Sequence, residues 1–165
     1  WAAKGGEESP DTPFSNTTIK GFTSLENSNG YFTETQLDSM AGSGTWITIQ
    51  ESSSAPLKCR HQLSTDVTSV QKREFSVTKT IDYVAKIFRI ALSKRIGKFN
   101  ITQPFLDALS TSVQGLLRYL VESGTLTDGK LSSIEVDADS PDTINVSVLI
   151  SVPYPANYIL LTLQV

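Results

Sequence analysis

Two stretches of about twenty residues, each closed by a glycine, constrain this chain more than anything else in it. In the first, Ile81, Val84, Ala85, Phe88, Ala91, Leu92 and Arg95 recur at three- and four-residue steps, and Gly97 stands where a left-handed C-terminal cap belongs. The spacing predicts a helix over residues 80–96. In the second, Leu106, Leu109, Val113, Leu116, Leu117 and Leu120 form one stripe; Thr102 is a good N-cap, Pro104 fits a first helical turn, and Gly124 stops the run. That stripe predicts a helix over residues 103–123. Each helix has one apolar face to bury, and the short connection makes the pair antiparallel neighbours.

What surrounds the pair reads as strand. After the turn in "TLTDGK", the segment "LSSIEVDAD" is extended and "SPDT" turns. "INVSVLISV" then alternates, with Ile144, Val146, Val148, Ile150 and Val152 on one face. "PYPAN" breaks the pattern before a last alternating stretch, "NYILLTLQV". Upstream, "TWITIQ" and "PLKCRHQLST" flank the turn "ESSSAP" and predict a hairpin. In "YFTETQLDSMAGSG", Thr33 and Gln36 stand at capping-box spacing ahead of Gly42 and Gly44. Residues 1–29 hold turn formers and little periodicity, so they are expected to be loop with brief extended pieces. The order is loop, short helix, hairpin, two helices and three strands, an α+β arrangement.

At 165 residues the chain is long enough to bury a core without metals or disulfides. Its 39% hydrophobic and 19% charged residues are those of a globular chain. A single cysteine, Cys59, rules out an internal disulfide and suits assembly in a reducing compartment. No apolar run approaches the roughly 18 residues that span a bilayer, and no signal segment opens the chain. The opening "WAAKGGEESPDTP" reads like a linker entered midway, so the chain is expected to be a portion of something longer.

Little here carries chemistry. His61 is the only histidine and lies two residues from Cys59, but side chains two apart on a strand are about 7 Å apart, too far for a nucleophile and its base. One His and one Cys cannot furnish a zinc site. "EVDADSPD" gathers Glu135, Asp137, Asp139 and Asp142, yet Pro141 occupies a position where a calcium loop needs an oxygen ligand, so a polar turn is expected. Sequons at Asn16, Asn100 and Asn145 are what a Ser/Thr-rich chain yields by chance. No phosphate-binding loop, nucleophile elbow or dinucleotide fingerprint is present. No catalytic residue, metal ligand or cofactor is assigned.

Two features stand apart. Between Lys79 and Lys98, Lys79, Lys86, Arg89, Lys94, Arg95 and Lys98 face Asp82 alone, six bases to one acid or +5; the rest of the chain holds 8 bases and 16 acids, or −8. On a helix Lys79, Lys86, Arg89 and Lys94 fall opposite the apolar stripe. Such a face is either simply solvated or meets an acidic protein, an anionic membrane or nucleic acid. Nucleic acid suits it least, since the chain is acidic overall and no aromatic residues interleave with the bases. The second feature is "NYILLTLQV" itself, with Ile159, Leu161, Leu163 and Val165 on one face and no charge, proline or covering loop to guard its edge. An unguarded strand edge is a template for another chain.

The second half of the chain resembles the C-terminal part of contractile tail sheath proteins of bacteriophages and related injection systems. Arg73, Ser76, Val77, Ile81 and Asp82 match the family's approach to a long helix; Leu116, Leu120, Gly124 and Leu126 nearly match the close of the second. Pro153, Pro155, Ala156, Ile159, Leu161 and Thr162 fit its final "P-x-P-A-x-x-I-x-L-T". "TPFSNTTIKGF", "SMAGSGTWITIQ" and "KCRHQLSTD" are similar to the segment leading into that domain. The resemblance implies that residues 1–70 end a preceding sheath segment and that 71–165 form the C-terminal domain, with a linking arm at 157–165.

In that family, chain termini add as strands to neighbouring subunits, which makes Tyr158, Ile159, Leu160, Leu161, Thr162, Leu163, Gln164 and Val165 the arm. The strand of Ile144, Val146, Val148, Ile150 and Val152 would accept a neighbour's arm, and the basic face of Lys79, Lys86, Arg89 and Lys94 would turn toward the inner tube. The implied protein is a structural subunit without cofactor, stacked in hexameric rings into a helical sheath that contracts to drive its tube through a host envelope. Its implied partners are copies of itself, the inner tail tube, the baseplate and the tail terminator, with no nucleic acid and no membrane insertion. Its implied place is the virion tail, assembled in the bacterial cytoplasm. A baseplate or tail-end adaptor of the same kind of machine is the alternative; a small Ser hydrolase using His61 would need an acid and an oxyanion hole.

Overall fold

Both stripes fold as helices. A computed structural model of the chain describes residues 1–25 and 32–164, so Val165 of the expected arm and residues 26–29 of the expected loop lie outside the described residues. The elements in chain order are α1 (Ala2–Glu7), α2 (Glu34–Gly42), β1 (Ile47–Ile49), β2 (Lys58–His61), α3 (Val70–Arg73), α4 (Phe75–Ser93), α5 (Gln103–Glu122), β3 (Asp128–Val136) and β4 (Ile144–Ser151). The class is α+β, with two small antiparallel sheets, β1–β2 and β3–β4. No helix among the described residues is long and apolar enough to cross a membrane.

The chain divides into two compact units. One holds Trp1–Lys79 and Tyr154–Val165, the other Thr80–Pro153, so the chain leaves the first unit within α4 and returns to it after β4.

In the second unit Val84 and Phe88 of α4 pack with Val113, Leu117 and Leu120 of α5 and with Leu126 beyond it. Leu131 of β3 and Val146, Val148, Ile150 and Val152 of β4 and its end cover this core. Strand β4 alternates between half-buried and exposed positions along its whole length. Strand β3 alternates only as far as Ser133 and pairs with an irregular register. Leu131 pairs with Val148 and Ile134 with Val146, and the register shifts between them, so two apolar side chains three residues apart face the same way. The turn that closes this hairpin is organised by Asp137, whose carboxylate accepts from Asn145 Nδ2 (2.8 Å) and from the backbone N–H groups of Asp139 and Ser140 (3.0 Å each). The Asn145 amide and those two N–H groups hold the Asp137 carboxyl below its usual range. The "EVDADSPD" cluster is thus a turn with its own internal acceptor. No group of three His, Cys, Asp or Glu among the described residues is placed to hold a metal ion.

In the first unit the core is aromatic. Trp46 lies 5.8 Å from Trp1, 6.1 Å from Phe14 and 5.2 Å from Phe75, centroid to centroid. Leu37, Ile47, Leu57, Cys59, Leu63 and Val77 are buried with them. The capping box at Thr33 and Gln36 is formed, and Gly44 takes φ +74° at the exit of α2.

Four expectations change. Residues 1–29 are not all loop, because Ala2–Glu7 is helical and is linked to β1 by the Trp1 indole N–H, which donates to Thr48 Oγ1 at 3.0 Å. The first long helix begins at Phe75, five residues early, and ends at Ser93, so Gly97 (φ +72°) belongs to the turn after it rather than to its cap. Ile81, placed on the apolar stripe, is 42% exposed. No strand among the described residues follows Ser151, because a strand needs a ladder partner and residues 158–164 find none.

Candidate assembly interface

Between α3 and α4 one residue, Glu74, is extended (φ −83°, ψ 114°), which turns its side chain inward rather than along a helix surface. The junction is stitched to the chain beyond β2: Phe75 N donates to Gln62 O at 2.9 Å and Ser64 N to Arg73 O at 2.7 Å. Glu74 is fully buried. Its Oε1 accepts from His61 Nε2 (2.9 Å), Asn157 Nδ2 (3.0 Å) and Arg73 Nε (3.3 Å), and its Oε2 accepts a longer bond from Gln62 Nε2 (3.4 Å). Gln62, also fully buried, donates to Ser76 Oγ at 2.8 Å and accepts from Phe14 N at 2.9 Å. A buried carboxylate is tolerable only with its lone pairs occupied, and here side chains from three separate stretches of chain occupy them.

These contacts settle the sole histidine. The His61 imidazole is turned to Glu74, and its Nε2 is engaged there at 2.9 Å. Cys59 is completely buried, and loss of solvent pushes its thiol up to about 12. Neither group is presented as a nucleophile. Arg60, between them, bonds Glu34 Oε2 (3.0 Å) and Asp38 Oδ1 (2.6 Å), and the Asp38 bond raises its already high pKa. Ser15, Asn16, Asp38, Arg60, His61 and Asn157 are among the residues lining a cleft of about 380 Å³.

Asn157 is the root of the terminal segment. Beyond it Tyr158, Ile159, Leu160, Leu161 and Leu163 are between 78% and 96% exposed, and Thr162 and Gln164 are exposed as well. So long an apolar run left in water is unusual for a chain that buries its other apolar stripes. The sequence had marked Tyr158–Gln164 but neither Asn157's partner nor Glu74. Contact between them spans 83 positions, and nothing local announces it. One signal lay in the sequence: Arg73 and Ser76 of the sheath-like pattern stand on either side of Glu74, and Pro155 and Ala156 of the last pattern immediately precede Asn157.

The residues expected to accept an arm form β4, whose only ladder partner among the described residues is β3. Ile144, Val146, Val148, Ile150 and Val152 are half-buried on the core-facing side, and the solvent side carries Asn145, Ser147 and Leu149. Each strand of this two-stranded sheet therefore has one unpaired edge among the described residues. The four basic residues separate. Lys86, Arg89 and Lys94 are exposed and make no ion pair among the described residues, whereas Lys79 is half-buried and donates to Glu8 O (2.9 Å) and Ser9 O (3.2 Å).

Comparison with solved structures gives the fold a context. The chain is similar to a chain in the cryo-EM structure of the anti-feeding prophage (AFP) baseplate, 6-fold symmetrised, with a TM-score of 0.78 and 16% identity over 98% of this chain and 47% of that one. It is also similar to a chain of an extracellular contractile injection system, the PVC sheath complex in its contracted state, with a TM-score of 0.62 and 17% identity over 82% of this chain and 41% of that one. The chain thus spans less than half the length of either, and at such identities the likeness is one of fold. No protein-family model and no curated protein sequence matches it.

Proposed function

We propose that this chain is the C-terminal portion of a structural subunit of a contractile injection machine, of the sheath type, which polymerises through exchange of its terminal arm. The observation that carries this reading is the segment 158–164: alternating, apolar, anchored at its root and without a strand partner among the described residues. Main-chain hydrogen bonds to a neighbour's open sheet edge would supply affinity, and alternating side chains would supply register. The open edge of β4 is the acceptor in this reading. A head-to-tail contact of this kind does not close on itself and so propagates a polymer. Contraction would be rigid-body motion of subunits about their arms, without nucleotide. Fold likeness to a chain of the AFP baseplate and to a chain of an extracellular contractile injection system supports the class of machine. Residues 1–70 would end the preceding segment, 71–165 would form the C-terminal domain, and the inner tube would lie against Lys86, Arg89 and Lys94.

A second reading has its own support, because the likeness to the AFP baseplate chain extends over 98% of this chain. In that reading the protein is a baseplate or tail-end component. Negative-stain micrographs of the purified chain separate the two: filaments or stacked rings are expected for a sheath subunit, and a discrete oligomer of fixed size would instead make it a baseplate part. A strictly monomeric protein at high concentration would count against both.

A further inference from the structure

We infer that Glu74 and Asn157 are the positioning pair of the terminal arm: the buried carboxylate holds the arm's root, and the arm pivots beyond Asn157. The inference deepens the arm-exchange reading and rests on it for its consequence in assembly, though not for its geometry. Half-burial alternates up to this point and ceases after it, since Pro155 and Asn157 are half-buried between the exposed Tyr154 and Ala156. Asn157 is half-buried with its amide bonded to Glu74 Oε1 at 3.0 Å, while the next seven residues, 158–164, are exposed. The root itself is stiff, since Pro153 and Pro155 fix their own φ angles and Asn157 N donates to Pro155 O at 3.0 Å.

Glu74 is suited to this task because its place is over-determined. His61 and Arg73 hold Oε1 from two directions and Gln62 approaches Oε2, so the carboxylate cannot turn to follow the arm. The arm's departure point is thereby referred to β2, to the α3–α4 junction and, through Gln62, to the Phe14 backbone. A strand that must find one edge on a neighbouring subunit gains from such a reference: fixing the root limits the volume its tip explores and raises its effective concentration at that edge. A mobile root would leave the same contacts available but seldom made.

Hydrogen exchange on the full chain, held monomeric by dilution, tests the anchor directly. Wild type should show a protected amide at Asn157, which donates to Pro155 O, and unprotected ones in 158–164. Asn157→Ala should speed exchange of the residue 157 amide by about tenfold, the factor that matches a net loss of about 1.4 kcal/mol, and Asn157→Asp, which sets a second carboxylate against Glu74, by more. Asn157→Gln, which keeps the amide, should recover part of the protection. The melting temperature should fall by about 3–6 °C for the Ala variant, further for the Asp variant and least for the Gln variant, and under assembly conditions the Ala and Asp variants should polymerise more slowly than wild type. Unchanged exchange at residue 157 for both Ala and Asp variants would overturn the inference, as would equal polymerisation by wild type and variants whose root is demonstrably loosened. If wild type itself fails to polymerise, the arm-exchange reading fails, while the exchange data still decide whether the pair holds the root.

Discussion

The ammonium of Lys79 lies 5.4 Å from the centre of the Phe14 ring while donating to the carbonyls of Glu8 and Ser9. One of the four residues of the expected basic face is therefore engaged at the end of α1, in the aromatic unit. Lys79→Met is expected to cost about 1–2 kcal/mol, from the cation–π contact and the lost hydrogen bonds. The double reversal Lys86→Glu/Arg89→Glu should leave the melting temperature within about 2 °C, since both residues are exposed and substitutions of that kind stay within about 0.5 kcal/mol. Thermal melts of the two variants check the contrast. If the exposed bases meet an acidic tube, the double reversal should also uncouple the subunit from that tube, and co-sedimentation at about 0.1 M and about 1 M salt would read the screening.

Deleting residues 158–165 should leave a folded protein that no longer polymerises. The exposed segment buries little within its own chain, so circular dichroism should be unchanged while sedimentation loses the large species. Loss of the folded signal would mean the segment stabilises its own chain.

Burial ranks the helix residues differently from their sequence pattern. Phe88 is 9% and Leu117 2% exposed, and each is expected to cost roughly 2–5 kcal/mol on replacement by Ala. Ile81, on the same sequence stripe but 42% exposed, should cost less than about 1 kcal/mol. Urea unfolding curves would measure all three, and equal costs for Phe88→Ala and Ile81→Ala would contradict the observed helix phase.

Gly44 and Gly21 both have positive φ, +74° and +90°, but only Gly44 is hemmed in. A Cβ on Gly44 would lie 2.8 Å from Ser64 O and 2.9 Å from Thr65 Cα, both backbone atoms, whereas one on Gly21 meets nothing within 4 Å. Gly21→Ala should show only the left-handed penalty, about 1 kcal/mol. Gly44→Ala should lower the melting temperature distinctly more.

Cys59 makes stability depend on pH in the alkaline range. In the unfolded chain a thiol titrates near about 8.5, and in the folded protein burial pushes this one up to about 12. The folded state thus holds the proton more tightly. Its contribution is fully present below about pH 8.5 and is lost as pH rises toward the folded value. Comparing melts of wild type and Cys59→Ala between pH 8 and pH 11, taken as about the useful window, should show a steeper decline for wild type. A thiol reagent should react with the native protein far more slowly than with the urea-unfolded chain.

Sequence by itself determined the elements whose information is local. Helical stripes at 84–92 and 106–120, the Thr33–Gln36 cap, the alternation of Ile144 to Val152 and the unguarded apolar terminus are all written in periods of two or 3.6 residues, because side-chain direction repeats with backbone geometry. The polar turn around Asp137 was legible for the same reason. Tertiary structure alone decided what depends on distant stretches of chain meeting. Trp1, Phe14, Trp46 and Phe75 form one aromatic core although no period links them. Lys79 and Lys86 lie on one sequence face, yet Lys79 is bonded to the Glu8 and Ser9 carbonyls while Lys86 is exposed, because packing rather than periodicity assigns neighbours. Glu74 looks like any acid ahead of a helix; its meaning comes from burial, and burial exists only once residues 61, 62, 73 and 157 converge on it. A desolvated carboxylate then demands the donors that the folded chain supplies.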